Sequence, residues 1–569
     1  MSTITEQKID PIIKEVVGHS FVSIAKEMSV TLQRTAYSSI VREAMDFSTA
    51  IFNDKGDLIA QSDNIPTHLG SMGKTLKRIL ADHFTINEIY EGDQIIINHP
   101  YLGASHTPDM LLFSPVVVDG EVRAFCGSMC HHADVGGSVA GSSPTNATEI
   151  FQEGLLLPPI KLFERGDANT AIFDIIRSNV RMPNYTLGDL RSQISANNIG
   201  VLRMKSIFEK YGEDTVVGIM EFWMNYSESV IRQKIREIPD GVYSAEGFID
   251  DDGVDVGKKI AMPVTICIKD DEILFDFSNV ATQARGPFNV TKETVWSVAY
   301  YITRCITDPD VQQNEGVFRP VKIKVVEGTI LNPKFPAPVS GRYHTIMRLC
   351  DICFQACSKF LPDQIPASSH AHATTLAIGG INPDTSDYFV YYELNGGGMG
   401  ARPTKDGISG IDVYVGNCMN VPIEAVELEY PLQFERYELH QDSGGAGKYR
   451  GGLGVDREIR MMTDGLSVTI RNDAETTEPK GFYGGKNGRP VEKFLNRGTD
   501  GEERIVGKVT AMSLNKGDLI TMKTAGSGGY GDPKERDVKA VIEDWKNGYI
   551  SKEIVQEVYG VDLNAESNQ

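Results

Sequence analysis

Between residues 8 and 42 the apolar positions Ile9, Ile12, Ile13, Val16, Val17, Phe21, Ile24, Ala25, Met28 and Leu32 recur at intervals of mainly three and four. That spacing predicts a long amphipathic helix. The stretch from Asp46 to Ala60 reads as two strands around an Asn-Asp-Lys-Gly turn. A second helix is predicted near residues 72–84, followed by strands around Gln94 to Asn98 and Leu111 to Val118 that flank a polar loop. Residues 184–236 read as mainly helical, and 240–330 as strands with a helix near Thr291 to Ile306. Pro333, Pro336 and Pro338 punctuate a crossing between units, and another helix runs from about Thr345 to Phe360. Beyond residue 390, short β-rich stretches alternate with glycine runs at 396–400, 444–447, 451–454, 484–485 and 526–531, and residues 536–560 close the chain as helix.

The fold class expected is therefore α+β, a mixed multi-domain chain with no internal repeat. Its parts are an N-terminal helical/β region (1–183), a helical then β/α middle region (184–345), a glycine-rich, mostly β region (346–535) and a C-terminal helical segment (536–569).

Composition narrows the function. With 56 Lys+Arg against 77 Asp+Glu the net charge is −21, which argues against nucleic-acid binding because phosphate contacts need clustered positive charge. Apolar residues make up 41% of the chain, too many for a disordered one. The N-terminus shows no apolar signal-peptide core, no stretch approaches a membrane span, and eight scattered cysteines do not form a secreted disulfide framework. A cytoplasmic protein with reduced thiols is expected. Fifty-five glycines in 569 residues exceed the usual share of roughly 7%.

Six of the 11 histidines (His68, His83, His99, His106, His131, His132) fall between residues 68 and 132. Two clusters carry candidate chemistry: His106-Thr-Pro-Asp109, and His131-His-Ala-Asp134-Val-Gly-Gly137. Imidazole and carboxylate suit Zn²⁺ or Mn²⁺, and a site with a position left open for water is catalytic rather than structural. The same residues could instead satisfy loop hydrogen bonds. Cys126 and Cys130 share one strand face while His131 lies on the other, so they read as buried thiols. Cys350, Cys353 and Cys357 have the spacing of one buried helix face rather than of an iron–sulfur ligand run. Residues 68–75 end like a P-loop but carry His68 where the first glycine belongs, which leaves a helix N-terminus with Ser71 as cap. The glycine runs could cradle an anion or form tight turns. No Gly-x-Ser-x-Gly elbow is present.

Several segments together resemble the B-type subunits of ATP-dependent hydantoinases, with the related caprolactamase, 5-oxoprolinase and acetone/acetophenone carboxylase chains. They are Asp46-Phe-Ser-Thr-Ala, Pro66-Thr-His-Leu-Gly-Ser-Met72, Pro100-Tyr-Leu-Gly-Ala-Ser-His106-Thr-Pro-Asp109, His131-His-Ala-Asp-Val-Gly-Gly137 and Gln152-Glu-Gly-Leu155. Gly188-Asp-Leu-Arg-Ser-Gln193, the glycine-rich run from Asp442 to Gly454, and Gly528-Gly-Tyr-Gly-Asp-Pro533 extend the match along the chain. One departure is His99, which stands where the family pattern has Asp.

The resemblance implies a division of labour. An A-type partner with an actin-like fold phosphorylates the substrate with ATP and Mg²⁺, in a heterotetramer of two A-type and two B-type chains. The B-type chain carries the metal, Zn²⁺ or Mn²⁺, on His106, Asp109 and His131, with Asp46 as fourth ligand or general base. His132 and Asp134 would orient the ligands, and His99 would add a ligand or a hydrogen bond behind them. The activity implied is hydrolysis of a lactam, hydantoin or 5-oxoproline ring; the alternatives are a ketone carboxylase chain and a non-catalytic scaffold. In this setting the glycine runs read as tight β-turns and close-packed backbone at a subunit interface rather than as phosphate loops.

Overall fold

The computed structural model describes residues 9–68 and 70–563. The first helix, Pro11–Thr35, starts where Asp10 accepts a hydrogen bond from the Ile12 amide and Pro11 needs no partner. It ends earlier than its apolar spacing suggests, because the Asp189 carboxylate takes the Tyr37 and Ser38 amides at 2.7 and 3.1 Å and turns the chain. A separate short helix, Ser39–Arg42, follows. Val17, Phe21, Ile24, Met28 and Leu32 are buried, and the helix packs along Pro183–Tyr211.

Residues 47–168 form a seven-stranded antiparallel sheet. Its strands are β1 (Phe47–Asn53), β2 (Leu58–Gln61), β3 (Gln94–Ile97), β4 (Asp109–Val118), β5 (Glu121–His131), β6 (Ile160–Glu164) and β7 (Asp167–Ala168), in the order β2-β1-β5-β4-β3-β6-β7. The long helices Pro183–Tyr211 and Glu213–Arg236 come next. A second sheet has the order β11-β10-β9-β8, from β8 (Gly241–Ile249), β9 (Ile260–Lys269), β10 (Glu272–Asp276) and β11 (Val321–Lys324); the helix Lys292–Ile306 lies between its last two strands in sequence.

The helix Arg342–Cys357 is buried along almost its whole length, with Cys350, Cys353 and Cys357 as packed, unpaired thiols. After it β12 (Thr374–Ile381), β13 (Tyr388–Asn395), β16 (Leu466–Arg471) and β19 (Val509–Leu514) make a third sheet, ordered β13-β12-β16-β19. A fourth, ordered β14-β15-β20-β17-β18, contains β14 (Leu432–Leu439), β15 (Val455–Met461), β17 (Glu492–Leu495), β18 (Glu503–Arg504) and β20 (Leu519–Lys523). The helices Val538–Lys546 and Lys552–Glu557 follow. One apolar cluster runs from Val17 to Met522, so the sheets share a core. Among the described residues no helix is long and apolar enough to cross a membrane.

Two expectations are corrected. Ser71 does not cap its helix: Gly70, at φ +80°, holds that position, and the Ser71 hydroxyl donates backwards to the Thr67 and His68 carbonyls. The C-terminal glycines are close-packed backbone, as expected, but mostly not turn residues. Of those in runs 396–400, 444–454 and 526–531 only Gly531 has a positive φ. What they permit is backbone packed directly on backbone. Gly398 donates to Ala525, Gly452 to Met399, Ser527 to Gly452, and Ala401 to Gly528, all at 3.0–3.1 Å. A Cβ on Gly398 would stand 2.0 Å from the Gly452 oxygen, and one on Gly400 1.7 Å from the Ala367 oxygen.

Gly398→Ala is therefore expected to cost about 3 kcal/mol and to lower the thermal midpoint by several degrees. Gly501→Ala, where the new carbon meets nothing closer than 3.7 Å, should change stability by less than about 0.5 kcal/mol. Equal melting of the two variants would refute close packing as the reason for the glycine excess.

Candidate metal centre

Strand register brings the acidic and histidine residues together. Asp109 opens β4 and His131 closes β5, and they face each other as an antiparallel pair. On the other side of β5, Phe47 pairs with Cys130, which puts Asp46 beside His131, whose amide donates to the Asp46 carbonyl at 3.0 Å. Met45, at φ +59°, turns the chain into β1 at this point. His106 comes from the turn before β4, closed by the Asp109 amide on the His106 carbonyl at 3.1 Å. His106, Asp109 and His131 are 1–3% exposed, and one ligand atom from each lies within 4.8 Å of the others.

The two oxygens of Asp109 have separate roles. Oδ2 accepts from Arg342 Nη2 at 2.5 Å and from the Ser105 hydroxyl. Oδ1 faces both imidazoles, 3.1 Å from His106 Nε2 and 3.2 Å from His131 Nδ1. Asp46 Oδ2 is 3.9 Å from the same His131 nitrogen. His106 Nε2 is not aligned to donate to Asp109, and with His106 Nδ1 and His131 Nε2 it has no hydrogen-bond partner. Ligand bonds of 2.0–2.2 Å at near-tetrahedral angles would hold donor atoms about 3.3 Å apart. The donor types, their spacing and the unpartnered nitrogens all fit a Zn²⁺ or Mn²⁺ ion.

Electrostatics agree with ligation by neutral imidazole. Burial, aided by the Arg342 guanidinium, pushes the His106 ring well below its ordinary pKa against the pull of Asp109. Burial alone would raise the Asp109 carboxyl. His106 and then Arg342 outweigh it and hold the group well below the carboxylate range.

These groups line a small cavity together with Ile65, His68, Ser340, Tyr343, Thr375, Tyr392, Leu394, Cys418 and Arg471. Its roughly 20 Å³ of room for water centres suits about one water molecule. Tyr392 lies over His131, ring centres 5.0 Å apart, and His106 lies over the other side at 5.0 Å. The segments 64–68 and 414–418 line both the cavity and, through Asn64, Pro66, Gly416 and Asn417, a surface cleft of 380 Å³ that Tyr301 and Arg304 also border, so they form a wall between the two. In that wall the Thr67 amide and hydroxyl both donate to the Val415 carbonyl, at 2.9 and 2.7 Å, and Asn417 donates to the Asn64 carbonyl at 2.9 Å.

Residues 10–533 match the family described as Hydantoinase B/oxoprolinase. The chain belongs to that family. It is 35% identical to the B-type chain of a putative D-/L-hydantoinase from Pseudomonas sp. strain NS671, covering 98% of this chain and 96% of that one. The crystal structure of the ATP-dependent caprolactamase from Pseudomonas jessenii superposes with a TM-score of 0.90 at 28% identity, over 98% of this chain and 97% of the other. A nucleotide-free acetone carboxylase shares the fold, with a TM-score of 0.88 at 18% identity over 97% and 80% of the two chains.

The other candidates of this Hydantoinase B/oxoprolinase chain lie apart from the cavity. His99 packs against Tyr101 and Phe335, ring centres 6.4 and 6.0 Å away. His132 points into the core, its Nε2 3.1 Å from Gln193 Oε1. Asp134 accepts from the Gly136, Gly141 and Arg181 amides and from the Arg181 guanidinium, and so ties down the loop that follows β5. Neither Cys126 nor Cys130 lines the cavity. His68, by contrast, does line it, held through Nδ1 to the Ser48 hydroxyl at 2.9 Å.

Eight of the 11 histidines (His68, His99, His106, His132, His344, His370, His372, His440) are shifted below 6.5, with burial as the first cause. Their depressed values mean that the unfolded chain takes up protons first as pH falls, so the stability they lend is present above pH 6.5 and lost below it. Five carboxyls raised chiefly by burial work in the opposite sense, Glu153 and Asp412 (both pushed up to about 7) with Asp134, Glu429 and Asp473, but they are fewer than the eight histidines. Metal-free chain should therefore show a lower urea midpoint at pH 5 than at pH 7. A flat or rising midpoint would contradict burial of neutral imidazoles.

Proposed function

We propose that this chain is the metal-carrying, B-type component of an ATP-dependent cyclic amide hydrolase, acting on a ring carbonyl that an A-type partner has phosphorylated. The observation that carries the reading is the convergence of two buried imidazoles on one oxygen of Asp109, with ring nitrogens left unpartnered, in a chain of the Hydantoinase B/oxoprolinase family. The chemistry explains why two kinds of chain are needed. Resonance with nitrogen removes the electrophilicity of a lactam or ureide carbonyl, and phosphorylation of its oxygen restores a carbon that water can attack.

His106, Asp109 and His131 would hold Zn²⁺ or Mn²⁺, with Asp46 as fourth ligand or general base. A bound ion supplies a water that ionises near neutral pH and a positive charge beside the carbonyl. The protein's own contribution is positional. Arg342 and Ser105 fix the Asp109 carboxylate, and Tyr392 fixes the plane of His131. The small volume of the cavity would leave room for about one water molecule at the reacting carbon. The surface cleft, within the usual 300–1,000 Å³ of small-molecule sites, receives the ring, and parting of the Thr67–Val415 wall admits it. ATP and Mg²⁺ belong to the A-type partner, in a heterotetramer.

The shared fold of acetone carboxylase makes a ketone carboxylase chain the second reading. Reconstitution with the A-type partner separates the two. ATP-dependent ring opening of a lactam, hydantoin or 5-oxoproline is expected, and carboxylation of ketones with bicarbonate is not. His106→Ala should remove the ion, seen as loss of about one metal per chain by elemental analysis, and lower ring opening by more than about 100-fold, with assembly intact. Full ring opening by a metal-free His106→Ala complex would exclude the metal mechanism.

A further inference from the structure

Six arginines of this chain are buried: Arg342, Arg348, Arg450, Arg457, Arg471 and Arg536. Five of them have a carboxylate within 4.0 Å, namely Asp109 for Arg342, Asp473 and Asp351 for Arg348, Asp544 for Arg450, Glu393 for Arg457, and Asp406 and Asp544 for Arg536. Arg471, 2% exposed, has none among the described residues. It is the last residue of β16, opposite Thr375 of β12, and it lines the cavity of the metal centre. Its Nη1 donates to the Ser340 hydroxyl at 3.2 Å, its guanidinium also hydrogen-bonds Tyr392 and lies in the field of Glu153, and its Nε has no partner. A guanidinium taken out of water with no carboxylate in contact is costly to fold around, so its retention points to an anion that arrives later.

Two further features of the same wall favour an anion. The 16-residue helix Arg342–Cys357 begins here, with Ser340, Arg342 and Tyr343 on the cavity and no side-chain cap at Gly341. The Gly341, Arg342 and His344 amides already donate to the Pro287, Val339 and Gly341 carbonyls, so this end of the helix offers chiefly the positive end of its dipole. The charge balance also leaves room for one. Asp46 and Asp109 cancel Arg342 and Arg471, so a divalent ion leaves the cavity with about two positive charges. Glu153 lies behind Ser340, accepts from the Val339 and Ser340 amides at 3.0 and 2.8 Å, and keeps its proton up to about pH 7 through burial, so it neutralises Arg471 only in part.

We infer that Arg471, Ser340 and the N-terminus of the helix Arg342–Cys357 form an oxyanion site that holds the phosphoryl group of the activated cyclic amide, beside the ion that faces the ring carbon. The inference rests on the two-component hydrolase reading and extends it. A phosphoryl dianion matches the residual charge, whereas a substrate carboxylate would match half of it. The guanidinium fork suits two phosphoryl oxygens at once.

The test uses the full chain loaded with Zn²⁺ or Mn²⁺, with inorganic phosphate and acetate as separate calorimetric probes and metal content measured on the same samples. Wild type should bind phosphate and not acetate. Arg471→Gln should weaken phosphate at least tenfold without loss of metal or of melting temperature, and Arg471→Lys should recover part of the affinity. Phosphate affinity equal in wild type and Arg471→Gln, or no phosphate binding by metal-loaded wild type, would overturn the site. Acetate bound as tightly as phosphate would overturn the phosphoryl assignment. Phosphate binding through Arg471 in a chain that never holds metal would support the anion site and sink the metal reading instead.

Discussion

The constraint on which the candidate centre depends is the division of the Asp109 carboxylate. One oxygen is committed to Arg342 and Ser105, and that leaves the other facing His106 and His131. His106 and Arg342 hold the buried carboxylate ionised, and burial keeps the His106 ring well below its ordinary pKa beside it. His131 Nδ1 meets Asp109 Oδ1 within hydrogen-bond distance, whereas both ring nitrogens of His106 and the Nε2 of His131 are buried without a partner, and it is these that a bound ion would satisfy. Removing either Arg342 or Asp109 would leave its partner as an uncompensated buried charge.

The two walls of the cavity come from distant parts of the chain. The register of β1, β5 and β4 sets Asp46, His131 and Asp109 at one sheet end. The third sheet and the start of the helix Arg342–Cys357 bring Tyr392, Arg471, Ser340 and Arg342 across from them. The glycine-packed segments beyond residue 390 lie at backbone contact distance from one another, which explains an excess of glycine with so few positive φ angles.

What is legible in the sequence depends on what each residue's neighbours in the chain can reveal. The first helix is readable from apolar spacing, but its early end is not, since Asp189 lies about 150 residues away. The His-x-x-Asp turn and the His131 cluster announce ligand chemistry because both ligands of the turn are local. His68 stands inside a family motif, yet in the sequence it reads only as a flaw in a P-loop; its approach to the cavity depends on a bond to Ser48 that no spacing rule encodes. Arg342, Tyr392 and Arg471 are invisible at that level, because an arginine's lack of a counter-ion is a property of three-dimensional surroundings. His99, His132 and Asp134 look like members of the cluster by proximity in sequence, but side chains that leave a strand end in different directions meet Phe335, Gln193 and Arg181 instead.

The central claim is that one ion is held by nitrogen and oxygen ligands from His106, Asp109 and His131, next to two unused thiols. Cys418 lines the same cavity, and Cys130 pairs with Phe47 one residue from the site. X-ray absorption at the metal edge of the purified full chain reads the ligand shell directly. The account predicts about two imidazole ligands with oxygen completing the shell and no sulfur. A sulfur shell near 2.3 Å, the zinc–thiolate distance, or a shell without imidazole, would contradict it.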